Sequence, residues 1–357
     1  VFLKRFHREG AITSSLNHPN ILRVYEVSDP HDSLHYLVTD LVVGINLDQF
    51  LQVNRLHCPE LALILMLPVL KGLQALHEKD VVHRDIKPEN IMVDWVRKRL
   101  TITDLGIAQP LDASRLSSFG TLVGSVAFMA PERLKKKKWD HRVDIWAFGT
   151  ILYWMCTYRF PFDARSEEEM IRQIVSGSLP APSEVNPMIS PHLERVILRC
   201  LERDVQKRYP DAREIRRELE VELRSNGVDD AEEELYTYLI NPRTNGKLLY
   251  QEIATGVLMN GKALLAKGPT EEALRYWERV KAYCPNDPRV QSVEPTLSAG
   301  VEPGVPKKER TGEFRPDDFD FIAQKRPKVT PPLPGWAYLA AATFLLVLLF
   351  VIWRFLL

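Results

Sequence analysis

Apolar residues at Leu3, Phe6, Gly10, Ile12 and Leu16, with charged residues between them, predict an amphipathic helix over Phe2 to Leu16. His18-Pro19-Asn20 ends it, because proline disfavours helical backbone in the residue before it. Ile21 to Val27 and Leu34 to Thr39 are rich in β-branched and aromatic residues, flank the turn Asp29-Pro30-His31-Asp32, and predict a pair of strands. The spacing turns helical from Leu47 to Lys79, with a break near Cys58-Pro59. Ile91 to Val93 and Leu100 to Thr103 predict a small hairpin around the charged turn Val96 to Arg99. Helical spacing returns from Trp139 to Leu223, interrupted at Phe160-Pro161-Phe162 and over Leu179 to Pro187. Strands first and helices later, without βαβ alternation, argue an α+β unit whose second half is mostly helical. A further helical stretch runs from Asp229 to Asp287, after a composition shift at Asn226-Gly227. Pro295 to Gly335 is rich in proline and in charges of both signs and reads as an exposed linker.

The chain closes on Trp336 to Trp353, a run without a charged residue, followed by Arg354. Its eighteen residues, at about 1.5 Å each, span roughly 27 Å, close to the ~30 Å hydrocarbon core of a bilayer. Trp336, Tyr338 and Trp353 suit the two interfaces. Lys325, Arg326 and Lys328 precede the run and only Arg354 follows it, so a single-pass C-terminal anchor with its N-terminal side in the cytoplasm is expected.

Composition narrows the function classes. In 357 residues, 45% apolar and 26% charged usage is that of an ordinary globular protein. Lys plus Arg and Asp plus Glu number 47 each, so nothing in the overall charge points to nucleic acid, and no nucleic-acid partner is expected. Cys58, Cys156, Cys200 and Cys284 lie far apart with no C-x-x-C spacing, which excludes an ordinary zinc site or a disulfide scaffold and fits a reducing compartment.

The chemistry is carried by His83-Arg84-Asp85-Ile86-Lys87-Pro88-Glu89-Asn90, followed by Asp104-Leu105-Gly106 and Ala130-Pro131-Glu132. With this series the chain resembles the eukaryotic-type protein kinases in their bacterial Ser/Thr branch, over roughly Phe2 to Leu223. The resemblance implies a two-lobe fold with a partial N-lobe and a mostly helical C-lobe. It also implies phosphoryl transfer from ATP to Ser or Thr hydroxyls of protein substrates, with Mg2+ (or Mn2+) as the metal. Such catalysis consists of positioning plus neutralisation of charge spread over the phosphoryl oxygens. Asp85 is then the residue that accepts or orients the substrate hydroxyl proton, Lys87 a phosphate contact, and Asn90 and Asp104 the metal ligands. Lysine in His-Arg-Asp-x-Lys-x-x-Asn resembles Ser/Thr kinases and not tyrosine kinases.

Further positions follow from the same resemblance. Glu9 aligns with the helix glutamate that pairs with the ATP lysine, in a register set by His18-Pro19-Asn20-Ile21. Thr39 falls at the gatekeeper position and Asp40 to Val42 at the adenine-binding hinge. Asp144 matches the aspartate that braces the catalytic loop, and Arg208 the arginine that pairs with Glu132. Asp104 to Glu132 is the activation segment, with Ser114, Ser117, Ser118 and Thr121 as phosphorylation candidates or as unmodified loop hydroxyls. Lys135 to Lys138 reads as a solvated basic turn, with a taste for acidic substrates as the other reading.

The pattern departs from the family in one place. No Gly-rich loop and no strand lysine precede Glu9, and Lys4 stands too close to Glu9 to be that lysine. As the chain opens at Val1 and not at methionine, a longer parent chain is expected. A true deletion would instead make this a pseudokinase acting as a membrane-tethered interaction scaffold. Ala254 to Asp287 resembles one tetratricopeptide repeat, with Gly261 and Ala273 as small packing residues and Trp277 filling the groove. It is either a protein-binding element or a plain helical spacer. The expected order is a kinase domain over 1–224, a helical repeat-like segment over 228–290, a linker over 291–335 and a transmembrane helix over 336–354.

Overall fold

A computed structural model of the chain describes residues 2–104 and 126–291, all within one compact unit. The predicted linker and membrane span, and Ser114, Ser117, Ser118 and Thr121, lie outside the described residues.

The amino-terminal part holds helix α1 (Phe2–Ser14), strands β1 (Val24–Val27) and β2 (Leu37–Thr39), and strand β3 (Gly44–Asn46) leading into α2 (Leu47–Val53). The long helix α3 (Pro59–His77) and the hairpin β4 (Ile91–Asp94) and β5 (Arg99–Ile102) follow. β1 and β2 form one antiparallel pair, and β3, β4 and β5 a three-stranded antiparallel sheet. Asn20 ties the segment before β1 to that sheet: its side chain donates to Leu100 O at 2.8 Å and its carbonyl accepts from Ile102 N at 2.9 Å. This is the structural use of His18-Pro19-Asn20-Ile21.

β3 was not expected from the sequence, because three residues are too few to show an alternating pattern. Gly44 is its local signature. A Cβ at Gly44 would run into the Val93 carbonyl oxygen, so only glycine lets β3 approach β4 in the register Gly44↔Asp94.

The carboxy-terminal part is helical: α4 (Pro131–Leu134), α5 (Arg142–Thr157), α6 (Glu167–Ser176), α7 (Pro182–Val185), α8 (Pro191–Cys200), α9 (Ala212–Ser225), α10 (Ala231–Ile240), α11 (Pro242–Ala266), α12 (Glu271–Tyr283) and α13 (Pro288–Gln291). α3 is the axis of the fold, with fifteen of its 19 residues buried, among them Leu61, Leu65, Leu70 and Leu73. Among the described residues it is the helix long and apolar enough to cross a membrane, yet 83% of that apolar window is buried inside the protein. A helix apolar all round needs neighbours on every side, and α5, α9, α10 and β5 supply them. Full burial of each leucine contributes about 1.5–3 kcal/mol. The four cysteines are free thiols, Cys58, Cys156 and Cys200 buried and Cys284 half-buried.

The first helix of the repeat-like hairpin begins well before Ala254. Leu248 to Ile253 and the first helix of the repeat-like hairpin are one continuous helix, α11, because nothing between Ile253 and Ala254 ends the hydrogen-bond ladder. α11 and α12 pack as a hairpin in which Gly261 meets Val280 and Trp277, and a Cβ there would overlap Val280 Cγ2. Trp277 is buried at their contact.

A buried polar network fastens α12 to α3 and α9. Arg279 (1% exposed) ion-pairs with Glu60 at the start of α3 and approaches Glu222 of α9 at 3.5 Å. Its guanidinium also donates to Asn226 Oδ1 at 3.1 Å, Tyr276 OH at 2.9 Å and Met188 O at 2.9 Å. Tyr283 donates to the other Glu60 oxygen. Burial pushes the Glu60 carboxyl up, while Arg279 pulls it back. Burial also works against the Arg279 charge, but Glu60 beside it holds the guanidinium above its ordinary value.

Removing one partner of such a group strands the others in a dry interior, at about 3–5 kcal/mol. Arg279→Met is expected to lower the urea midpoint accordingly, and adding Glu60→Gln to recover part of the loss. Additive losses in that double-mutant cycle would show the pair to be uncoupled.

Candidate active site

The turn after α3 delivers the chain into His83–Asn90, which ends in a 3-10 turn (Pro88–Asn90) directly before β4. Asp144, in the first turn of α5, holds this loop by its backbone. Its Oδ1 accepts from Arg84 N at 2.8 Å, and its Oδ2 from His83 N at 2.9 Å. His77 Nε2, at the end of α3, lies 2.9 Å from the same Oδ2. Asp144 is 1% exposed, so each of these bonds is made away from competing water.

His83 is fully buried and bridges two parts of the site. Its Nε2 faces Thr103 O at 2.9 Å, and its Nδ1 accepts from Asp85 N at 3.3 Å. A carbonyl can only accept, so Nε2 carries the proton and the ring is neutral. Burial pushes its pKa below the ordinary 6.5, with the charge of Asp144 acting in the opposite direction.

Arg84 has φ 71, in the left-handed region. That conformation costs roughly 1–2 kcal/mol for a residue with a Cβ, and the Arg84 N–H bond to Asp144 offsets it. The turn at Arg84 carries the chain directly into Asp85. Asn90 Nδ2 donates to Asp85 O at 2.8 Å and to Asp85 Oδ2 at 2.9 Å. Lys87 Nζ lies 2.9 Å from the same Oδ2. Asp85 Oδ2 therefore has two donors, and Oδ1 has none among the described residues. Asp85, Lys87 and Asn90 are brought together as one cluster.

Asp104 follows β5 with φ 53 and an exposed side chain. Asn90 O accepts from Thr103 N at 2.9 Å and from Thr103 Oγ1 at 3.2 Å, which pins Asn90 to the residue before Asp104. The donor set suits a hard cation: Asn90 uses its NH2 group on Asp85 and keeps its amide oxygen, and Asp104 offers a carboxylate. Among the described residues no group of three or more His, Cys, Asp or Glu side chains gathers as a self-sufficient metal centre. A magnesium ion shared with phosphate and water needs only the two.

Thr39 ends β2, and Asp40 and Val42 lie on the connection from β2 to β3. Asp40 N donates to Arg23 O at 3.0 Å and Asp40 Oδ1 accepts from Tyr25 OH at 2.7 Å, so this residue is anchored. The Val42 backbone makes no hydrogen bond among the described residues. Glu9 sits on α1, and its side chain lies outside the described residues.

Behind the loop, Arg208 grips Glu132 with two bonds, at 2.8 and 3.1 Å, where the sequence places that pair. Several contributors were not anticipated: His77 on Asp144, the Thr103 carbonyl on His83, and Arg133, whose Nη1 donates to Arg84 O. Trp139 lies under the guanidinium groups of Arg84 and Arg133, at 5.6 and 5.9 Å. No spacing marks these residues, because each meets the loop from a different element.

A family model described as protein kinase domain matches residues 2–218, more than half of the chain. The chain belongs to the protein kinase family. Among curated proteins this kinase is 29% identical over 229 residues to the serine/threonine-protein kinase PrkC of Bacillus subtilis, covering 64% of this chain and 35% of that protein. It is 32% identical over 243 residues to a probable serine/threonine-protein kinase of Clostridium acetobutylicum (68% and 36% covered) and 33% identical over 224 residues to one of Streptomyces coelicolor (61% and 33%). The chain thus spans about a third of the length of these relatives.

The neutral His83 has a consequence for stability. The unfolded chain takes up a proton on this imidazole that the folded kinase refuses, so stability falls as pH drops below the unfolded value of about 6.5. The loss levels off once the folded imidazole itself protonates. Urea unfolding between neutral and mildly acid pH is expected to show this slope, and His83→Phe to be shallower by up to one proton. An unchanged slope in the variant would place the acid sensitivity elsewhere.

Proposed function

We propose that this kinase transfers the γ-phosphoryl group of ATP to serine or threonine hydroxyls of proteins while tethered to a membrane by residues 336–354. The observation that carries the reading is the Asp85–Lys87–Asn90 cluster, with Lys87 and Asn90 both on one oxygen of Asp85. Two donors on Oδ2 fix the carboxylate, and Oδ1 is left to receive the hydroxyl proton of the acceptor. Lys87, held beside Asp85, places a cation next to the entering oxygen, where the phosphoryl group arrives. Asn90 and Asp104 would hold magnesium, which when bound neutralises charge on the phosphate oxygens.

Adenine recognition falls to the β2–β3 connection. The Asp40 N–H is committed to Arg23 and its carbonyl accepts from Thr39 Oγ1 at 3.3 Å, so the Val42 backbone is the group left for the base, with Thr39 lining its inner edge. Glu9 would pair with a phosphate-binding lysine, which no residue between Val1 and Glu9 supplies. The helical hairpin of α11 and α12 is read as repeat-like from Gly261 and Trp277, with a protein partner as its role.

In the full-length protein, Asp85→Asn should cut phosphate transfer to a protein substrate by about 10³-fold or more, the scale of losing a proton-handling residue. The unfolding free energy should stay within about 0.5 kcal/mol, as expected for a change that keeps shape. The same active sample should carry phosphate within Ser114 to Thr121 by mass spectrometry. Equal transfer by variant and wild type would remove Asp85 from its role, and absence of transfer in both would favour the scaffold reading. Separately, the protein should sediment with membranes, withstand carbonate extraction, and become soluble when residues 336–354 are deleted. Solubility of the intact protein would exclude the anchor.

A further inference from the structure

Lys135, Lys136, Lys137 and Lys138 are all exposed, and none forms an ion pair with a described carboxylate. The neighbouring acids are already taken. Glu132 is closed by Arg208, and Asp140 is held by Arg142 through contacts of 3.1, 3.1 and 2.7 Å. In a chain whose formal charge sums to zero, this turn concentrates in consecutive positions four cations that pair with no carboxylate among the described residues.

The turn is also firmly built. Lys135 N donates to Pro131 O at 2.9 Å, Lys136 N to Arg133 O at 3.1 Å, and Lys137 N to Glu132 O at 3.0 Å. Lys136 adopts φ 51, the left-handed backbone that reverses the chain after α4. The base of the turn is fixed to the catalytic loop: Arg133 donates to the carbonyl of Arg84, the residue next to Asp85, and Trp139 packs beneath both arginines. The charge run is therefore presented on a rigid support joined to the loop that carries the proton-accepting carboxylate. Like charges held together on a fixed turn repel one another, and an anionic segment laid across them relieves that repulsion.

We infer that Lys135–Lys138 is a substrate-docking surface that selects acidic protein segments, bringing serines or threonines within such segments to Asp85. The inference rests on the phosphotransfer reading of Asp85 and adds the substrate class to it. A membrane surface is the less favoured partner, because the turn is coupled through Arg133 and Trp139 to the loop that carries Asp85.

The test uses the full-length protein, wild type and with all four lysines replaced by alanine, and two serine peptides that differ only in flanking aspartates or asparagines. The ratio of kcat/KM for the aspartate peptide over the asparagine peptide should be about ten in the wild type, the sum of four weak exposed pairs, and fall to about one in the variant. Affinity for the fluorescently labelled aspartate peptide, read by anisotropy without turnover, should fall by a similar factor, and the difference should shrink as salt rises. Peptide binding that depends on the lysines without any phosphate transfer would uphold the docking surface and defeat the phosphotransfer reading. Transfer with the same peptide ratio in both proteins would do the reverse. Lysine-dependent binding to phosphatidylserine vesicles, with equal peptide binding by both proteins, would overturn the proposal in favour of a membrane contact.

Discussion

The candidate active site depends on one buried carboxylate. Asp144 accepts hydrogen bonds from the backbone of His83 and Arg84 and lies against His77, so α3, the catalytic loop and α5 meet at a single group. Backbone N–H groups of a loop have no ladder partner and need an acceptor when buried. Asp144 supplies it with charge-assisted bonds, which are shorter and stronger than neutral ones. The unusual backbone at Arg84 is held in this way, and the positions of Asp85, Lys87 and Asn90 follow from it. His83 extends the same logic to Thr103 and so links the loop to the strand that ends at Asp104.

A second buried charge system ties on the carboxy-terminal helices. Arg279 reaches Glu60, Glu222, Asn226, Tyr276 and the carbonyl of Met188, so α12 is joined to α3, α9 and the segment before α8. Burying these ions costs several kcal/mol each, and the network repays it only as a complete set. Apolar surface alone would let α12 slide along α3, whereas a guanidinium with fixed donor directions defines one position. The face of the hairpin that carries Arg279, Tyr276 and Tyr283 is thereby turned onto the kinase fold, and Met259, Leu248 and Thr255 lie on its exposed side.

The contrast between these acids and the lysine turn is one of compensation. Glu132, Asp144 and Glu60 are buried and partnered, while Lys135 to Lys138 are exposed and carry their charge into solvent. Buried charges fix architecture because leaving one alone is costly. Exposed ones set what approaches, because they act at a distance of about a Debye length.

Much of this protein was legible in order along the chain. The helical spacing of Leu47 to Lys79, with its break at Cys58-Pro59, became α2 and α3, and the hairpin around Val96 to Arg99 became β4 and β5. The run His83 to Asn90 was legible as the candidate site, since phosphoryl transfer needs a fixed set of side chains at fixed spacing, and the structure gathers Asp85, Lys87 and Asn90 there. The pairing of Arg208 with Glu132 was likewise readable through the family resemblance. What the order of residues could not contain was contact between distant segments. β3 is three residues long and exists because β4 lies beside it. His77, Arg133 and Trp139 reach the loop from separate helices and turns, and Arg279 finds Glu60 across 219 positions. Local pattern determines which elements form, because helix and strand periods are local properties. Only the tertiary structure decided which buried charges share a partner, because that depends on which surfaces lose their water together.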